Sequence, residues 1–83
     1  MFEEIRAHLK AEVAGMTELS VDEIDVQAHL GELGIDSLQA LELLVAIERT
    51  YHIEVPEEEL AEFTSINNVA ELVDRHVRAV VLA

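Results

Sequence analysis

Gly34-Ile35-Asp36-Ser37-Leu38, running on into Gln39-Ala40-Leu41-Glu42-Leu43-Leu44-Val45-Ala46-Ile47-Glu48, is the stretch that decides how this chain folds. The residues after Leu38 are mostly good helix formers, with no Gly or Pro among them. Gly34 suits a loop, and Asp36 or Ser37 suits the cap of the helix that follows. One serine hydroxyl is thereby placed at a helix mouth. An anionic group carried on Ser37 would sit among unpaired backbone N–H groups, at the positive end of the helix dipole.

Working outward, hydrophobic spacing predicts three further helices. Phe2, Ile5, Leu9, Val13 and Met16 recur every three or four residues, giving an amphipathic first helix that Gly15 should end. Thr17 to Asp36 is a long connection with apolar pins at Leu19, Val21, Ile24, Val26, Leu30 and Leu33. A structureless connection of that length is uncommon, so the pins imply packing on the core, with a short helical turn near Ser20 to Ile24. The second helix should run from about Ser37 to Tyr51. His52-Ile53-Glu54-Val55-Pro56 breaks it, and Pro56 can open a short third helix through Phe63. Thr64-Ser65 offers a cap for a fourth, whose apolar stripe is Ile66, Val69, Leu72, Val73, Val77 and Val80. The expected fold is all-α: a small four-helix bundle, with a long loop between helices 1 and 2 and a short third helix, making residues 1–83 one domain.

Within the second helix, Leu43, Leu44 and Ile47 are best placed for burial, while Gln39, Glu42 and Glu48 or Arg49 lie near one polar stripe. Leu38, Leu41 and Val45 fall at the boundary. Spacing alone does not choose between core and surface for these three.

Composition narrows the function. Eighteen acids face five bases, a formal charge of −13, which argues against nucleic-acid binding because a phosphate backbone demands Lys and Arg. After Lys10 no Lys or Arg occurs until Arg49, and none again until Arg75. Glu12, Glu18, Asp22, Glu23, Asp25, Glu32, Asp36, Glu42 and Glu48 all lie in the base-free stretch between Lys10 and Arg49. Solubility alone would explain the charge. A negative surface that steers basic enzymes onto the Ser37 helix explains its placement as well. No cysteine is present, so any thioester chemistry needs a thiol supplied from outside the chain. The acidic start, Met1-Phe2-Glu3-Glu4, lacks the apolar segment of a secretory signal, and Val77-Arg78-Ala79-Val80-Val81-Leu82-Ala83 is too short to span a membrane. A soluble cytoplasmic protein is expected.

Catalytic readings fare poorly. Gly34-Ile35-Asp36-Ser37-Leu38 lacks the final Gly of a hydrolase nucleophile elbow and the strand before it. His8, His29, His52 and His76 are scattered; Glu4, His8 and Glu12 could share a helical face, but without a fourth ligand no metal site is expected. Asp22-Glu23-Ile24-Asp25 lacks the alternating ligands and central Gly of a calcium loop.

The Asp36-Ser37-Leu38 motif in this setting resembles the acyl carrier protein family, and the resemblance runs from about Phe2 to Val77. It extends to Leu30-x-x-Leu33-Gly34 before Asp36, to Val55-Pro56-Glu57-Glu58, and to Phe63-Thr64-Ser65-Ile66. Membership would imply a 4′-phosphopantetheine arm on Ser37, donated by coenzyme A through a phosphopantetheinyl transferase, and a thiol that carries acyl groups as thioesters. It would also imply that Leu38, Leu41 and Val45, with Glu42 and Glu48, meet partner enzymes such as an acyltransferase or a ketosynthase. Such a carrier is not an enzyme and is expected to act as a monomer, with no nucleic-acid or membrane partner. Asp36 differs from the His that commonly precedes the serine of peptidyl carriers. Gln39 stands where many fatty-acid carriers have an acid, Arg49-Thr50 where they have an acidic run, Tyr51 where Phe is common, and Leu60 where a small residue often occurs. These departures point toward polyketide or other specialised acyl biosynthesis, with a fatty-acid synthase carrier or a peptidyl or aminoacyl carrier as alternatives. An unmodified acidic helical adaptor, with Ser37 merely a cap, is the alternative from a different class.

Overall fold

The computed structural model describes residues 2–82; Met1 and Ala83, the two ends of the expected domain, lie outside the described residues. Among the described residues there are three α-helices, α1 (Phe2–Met16), α2 (Ser37–Tyr51) and α3 (Ile66–Leu82). Three 3-10 segments accompany them, at Val21–Glu23, Leu30–Leu33 and Glu57–Glu62. The last of these stands where the short third helix was expected. The single bridge between His29 and Ser65 is the only β pairing among the described residues. No described helix is long and apolar enough to cross a membrane.

The core follows the apolar spacing. Ile5, Leu9 and Val13 line the inner face of α1, Leu43, Leu44 and Ile47 that of α2, and Ile66, Val69, Leu72 and Val73 that of α3. α1 packs chiefly on α3, and burying each Leu or Ile there is worth about 1.5–3 kcal/mol. Tyr51 ties the far end of α2 to α1, its hydroxyl 3.2 Å from His8 Nδ1 and the two rings edge to face. Burial, aided by the Glu4 carboxylate, pushes the Tyr51 phenol above its usual value.

Gly15 does not end α1, which continues through Met16. The stop comes from Thr17, whose Oγ1 donates to the Val13 carbonyl (3.0 Å) and accepts from the Leu19 N–H (3.2 Å). The loop beyond holds the expected turn near Ser20. Glu23 accepts from the Ser20 N–H at 2.9 Å, and hydrogen bonding to Ser20 holds its carboxyl below the usual range. Ile24 and Leu30 are buried, but Val21 is 44% exposed, because so short a turn offers no inner face on which to hide it. Two backbone hydrogen bonds stitch the loop to the start of α3, Asn67 N–H to Val26 O (3.0 Å) and Leu30 N–H to Thr64 O (2.8 Å). Val80 also leaves the expected stripe, at 59% exposed, since α3 runs on past the core.

The Leu30–Leu33 turn delivers the chain to α2. His29 Nδ1 caps it by accepting from the Gly31 N–H (3.0 Å), and Gly34 ends it in the left-handed region at φ +95°. Ile35 then turns inward and is buried. A Cβ on Gly34 would meet nothing within 4 Å, so any penalty for adding one is backbone strain alone. Gly34→Ala is therefore expected to destabilise by about 1–2 kcal/mol, read by denaturant unfolding. An unchanged midpoint would mean that the turn adapts to a side chain.

Candidate functional site

Asp36 supplies the cap of α2. Its Oδ1 accepts from the Gln39 N–H at 2.8 Å, and Gln39 Oε1 accepts in return from the Asp36 N–H at 3.1 Å. Each partner satisfies a backbone donor that the helix itself leaves free. Ser37 is the first residue of the helix and is exposed. Its hydroxyl is spared the capping task and stands at the mouth of α2 as a free side chain. The first turn carries no acidic residue, so the Asp36 cap is the acid that the helix itself sets against the positive end of its dipole.

The boundary residues resolve outward. Leu38 is 65% exposed, Leu41 49% and Val45 46%, forming a stripe along the outer face of α2. Glu42 is exposed within this stretch. Glu48 is half-buried, and its Oε2 accepts from the Val55 N–H at 2.9 Å, so it anchors the segment after α2. His52 closes the helix in the left-handed conformation, φ 56°, its N–H donating to the Glu48 carbonyl.

A cavity of about 320 Å³ opens beside the serine, lined by Ser37, Ala40, Leu41, Leu60 and Phe63. One wall is the first two turns of α2; the other is the Glu57–Glu62 segment and Phe63. That segment buries none of its residues fully and is pinned to α3 by polar contacts. Glu59 Oε2 lies 2.6 Å from His76 Nε2, and Arg75 donates to Glu62 at 2.8 Å. The Glu62 carboxylate holds the Arg75 guanidinium above its ordinary value. Four of the five lining side chains are apolar, so the space suits an aliphatic group attached at Ser37.

No group of three or more His, Cys, Asp or Glu among the described residues is placed to hold a metal. His8 Nε2 meets Glu12 at 3.3 Å, as their shared face suggested. Spacing missed two features, the Glu48 anchor and a bond from Gln39 Nε2 to the Met16 carbonyl at 3.0 Å. Both join residues whose proximity depends on tertiary packing.

Comparisons with known proteins agree with this geometry. A family model described as phosphopantetheine attachment site matches residues 7–73. The chain is 39% identical over 71 residues to an acyl carrier protein of Streptomyces coelicolor, spanning 84% of this chain and 74% of that one. It is 32% identical over 69 residues to an acyl carrier protein of Clostridium perfringens, spanning 82% and 91%. The crystal structure of an acyl carrier protein from Thermotoga maritima has the same fold, with a TM-score of 0.81 at 15% identity, over 95% of this chain and 93% of that one.

Proposed function

We propose that this chain, which belongs to the acyl carrier protein family, bears its covalent 4′-phosphopantetheine on Ser37. The observation that carries the assignment is an exposed serine at the first position of α2, released from capping by Asp36 and set beside an apolar cavity. The site fits the group. A phosphodiester on Ser37 Oγ would lie at the helix mouth, where first-turn N–H groups and the dipole favour an anion. The arm supplies a thiol that the cysteine-free chain lacks, and with it the means to hold an acyl group as a thioester. Tethering raises the concentration of the load at each docked enzyme. The carrier contributes position rather than catalysis.

Attachment requires a phosphopantetheinyl transferase and coenzyme A, and loading and elongation require acyltransferase and ketosynthase partners. Leu38, Leu41 and Val45 give these enzymes an apolar strip, with Asp36, Glu42 and Glu48 as acids on the same helix or at its cap. We read the pathway as polyketide or other specialised acyl biosynthesis in the cytoplasm, with the carrier acting as a monomer. The support is residue by residue: Gln39 is neutral and turned back toward α1, Arg49 is exposed at the end of α2, and Leu60 forms part of the cavity wall. Intact mass after incubation with coenzyme A and a broad-specificity transferase tests the arm. The mass of arm plus load on protein from its native host tests the pathway, and a saturated fatty acyl load would favour the fatty-acid alternative.

Charge placement gives a second test. Glu42→Lys should slow loading about three- to ten-fold through the association rate at low ionic strength, with the loss shrinking as salt screens the steering. Glu71→Lys makes the same charge change on exposed α3 and should matter much less. Glu48→Lys is a poorer probe, because it also removes the acceptor for Val55. Equal slowing by Glu42→Lys and Glu71→Lys would mean that bulk charge governs loading.

A further inference from the structure

Gln39 is shared by the open ends of two helices. Its backbone N–H and side-chain Oε1 exchange hydrogen bonds with Asp36 at the entry to α2, while its Nε2 donates to the carbonyl of Met16, the last residue of α1. That carbonyl is one of the terminal acceptors that α1 cannot satisfy internally. Thr17 takes the Val13 carbonyl a turn earlier, and the amide from α2 takes that of Met16. Helix ends fray, and the first turn of α2 holds the exposed Ser37. The strap to α1 ties that turn to the bundle about 200° round the helix from Ser37, beside the packing of Ala40 against the core.

We propose that Gln39 is a positioning residue for the modification of Ser37. By tying the first turn of α2 to the end of α1, it keeps that turn from fraying and so holds Ser37 Oγ in helical register with the Leu38, Leu41 and Val45 strip on which a transferase docks. The inference rests on the assignment of Ser37 as the attachment site. The geometry asks for an amide, because one atom must accept from Asp36 while the other donates to Met16. A Glu keeps the acceptor but sets a carboxylate oxygen against the Met16 carbonyl. A Met keeps the length and offers neither.

The test compares the apo chain with Gln39→Glu and Gln39→Met as substrates of a broad-specificity transferase with saturating coenzyme A. Salt of about 0.5 M suppresses charge steering, since the screening length is then well under 10 Å. Val69→Ala, a core truncation in α3, serves as a stability control that leaves the strap intact. The expected result is a maximal loading rate lowered about five-fold or more for both Gln39 variants with little change in KM, as displacement of a reacting group demands. Faster hydrogen exchange at the Leu38 to Ala40 amides should accompany it, while Val69→Ala loads at the wild-type rate. Wild-type maximal rates for folded Gln39 variants would overturn the proposal. So would a matching fall in Val69→Ala, which would make the effect one of stability. Should Gln39→Met fail to fold, Gln39→Glu decides, since it retains the capping box; hydrogen exchange on the wild type reads the protection of the same amides. A wild-type chain that gains no arm, or gains it elsewhere than Ser37, would instead sink the attachment-site assignment.

Discussion

Ser37→Ala is expected to abolish addition of 4′-phosphopantetheine completely while leaving the melting temperature within about 4–8 °C of wild type, the shift that 1 kcal/mol produces in a domain this size. The asymmetry comes from the division of labour at the head of α2. Asp36, not Ser37, satisfies the Gln39 N–H, so removing the serine hydroxyl leaves the cap in place, and alanine is a good helix former. Ser20 and Ser65 are unsuited to substitute. Ser20 stands before the three-residue turn Val21–Glu23, and Ser65 is buried, its Oγ accepting from the Asn68 N–H at 3.2 Å. Intact mass after exposure to coenzyme A and transferase reads the loss, and thermal unfolding reads the fold. An arm found on the alanine variant, or on Ser20 or Ser65 of the wild type, would remove Ser37 from its role.

The parts of this molecule that were legible in sequence are those set by local chemistry. α2 begins and ends where Asp36-Ser37 and the His52–Pro56 break place it, because caps and breakers act within a few residues. The inner faces of α1 and α2 followed from spacing for the same reason. Gly15 misled because a glycine ends a helix only when it takes a left-handed turn, and here the Thr17 side chain supplies the stop. The Leu30–Leu33 turn was invisible, being too short for periodicity and capped by an imidazole nitrogen. Leu38, Leu41 and Val45 stayed open because α2 is apolar on more than one face. Only the packing of α1 and α3 decides which face is used. The cavity and the bonds from Gln39 and Glu48 belong to the same class, joining segments 7 and 23 residues apart in the two hydrogen bonds.

Leu41→Asp should cut the efficiency of loading by about ten- to thirty-fold, the range expected when a central apolar anchor of an interface becomes a charge (~1.4–2 kcal/mol). The stability cost should be small, because Leu41 is already half in water and an aspartate there leaves little unsatisfied. Leu43→Ala, two residues along, should show the reverse. Leu43 is 1% exposed, and its truncation costs about 2–5 kcal/mol while leaving the outer face untouched. Leu41 also lines the cavity, so a loss of function there has two possible physical origins. Val45→Asp separates them, since Val45 shares the outer stripe but not the cavity lining. If the stripe is a docking surface, both aspartates lower kcat/KM for the transferase at any salt concentration, because an apolar contact is not screened. A loss confined to Leu41→Asp would place the effect in the cavity. Normal loading of both variants would leave the stripe as idle surface, and the apolar half of the docking model would fall while the charge-steering half stood on its own test.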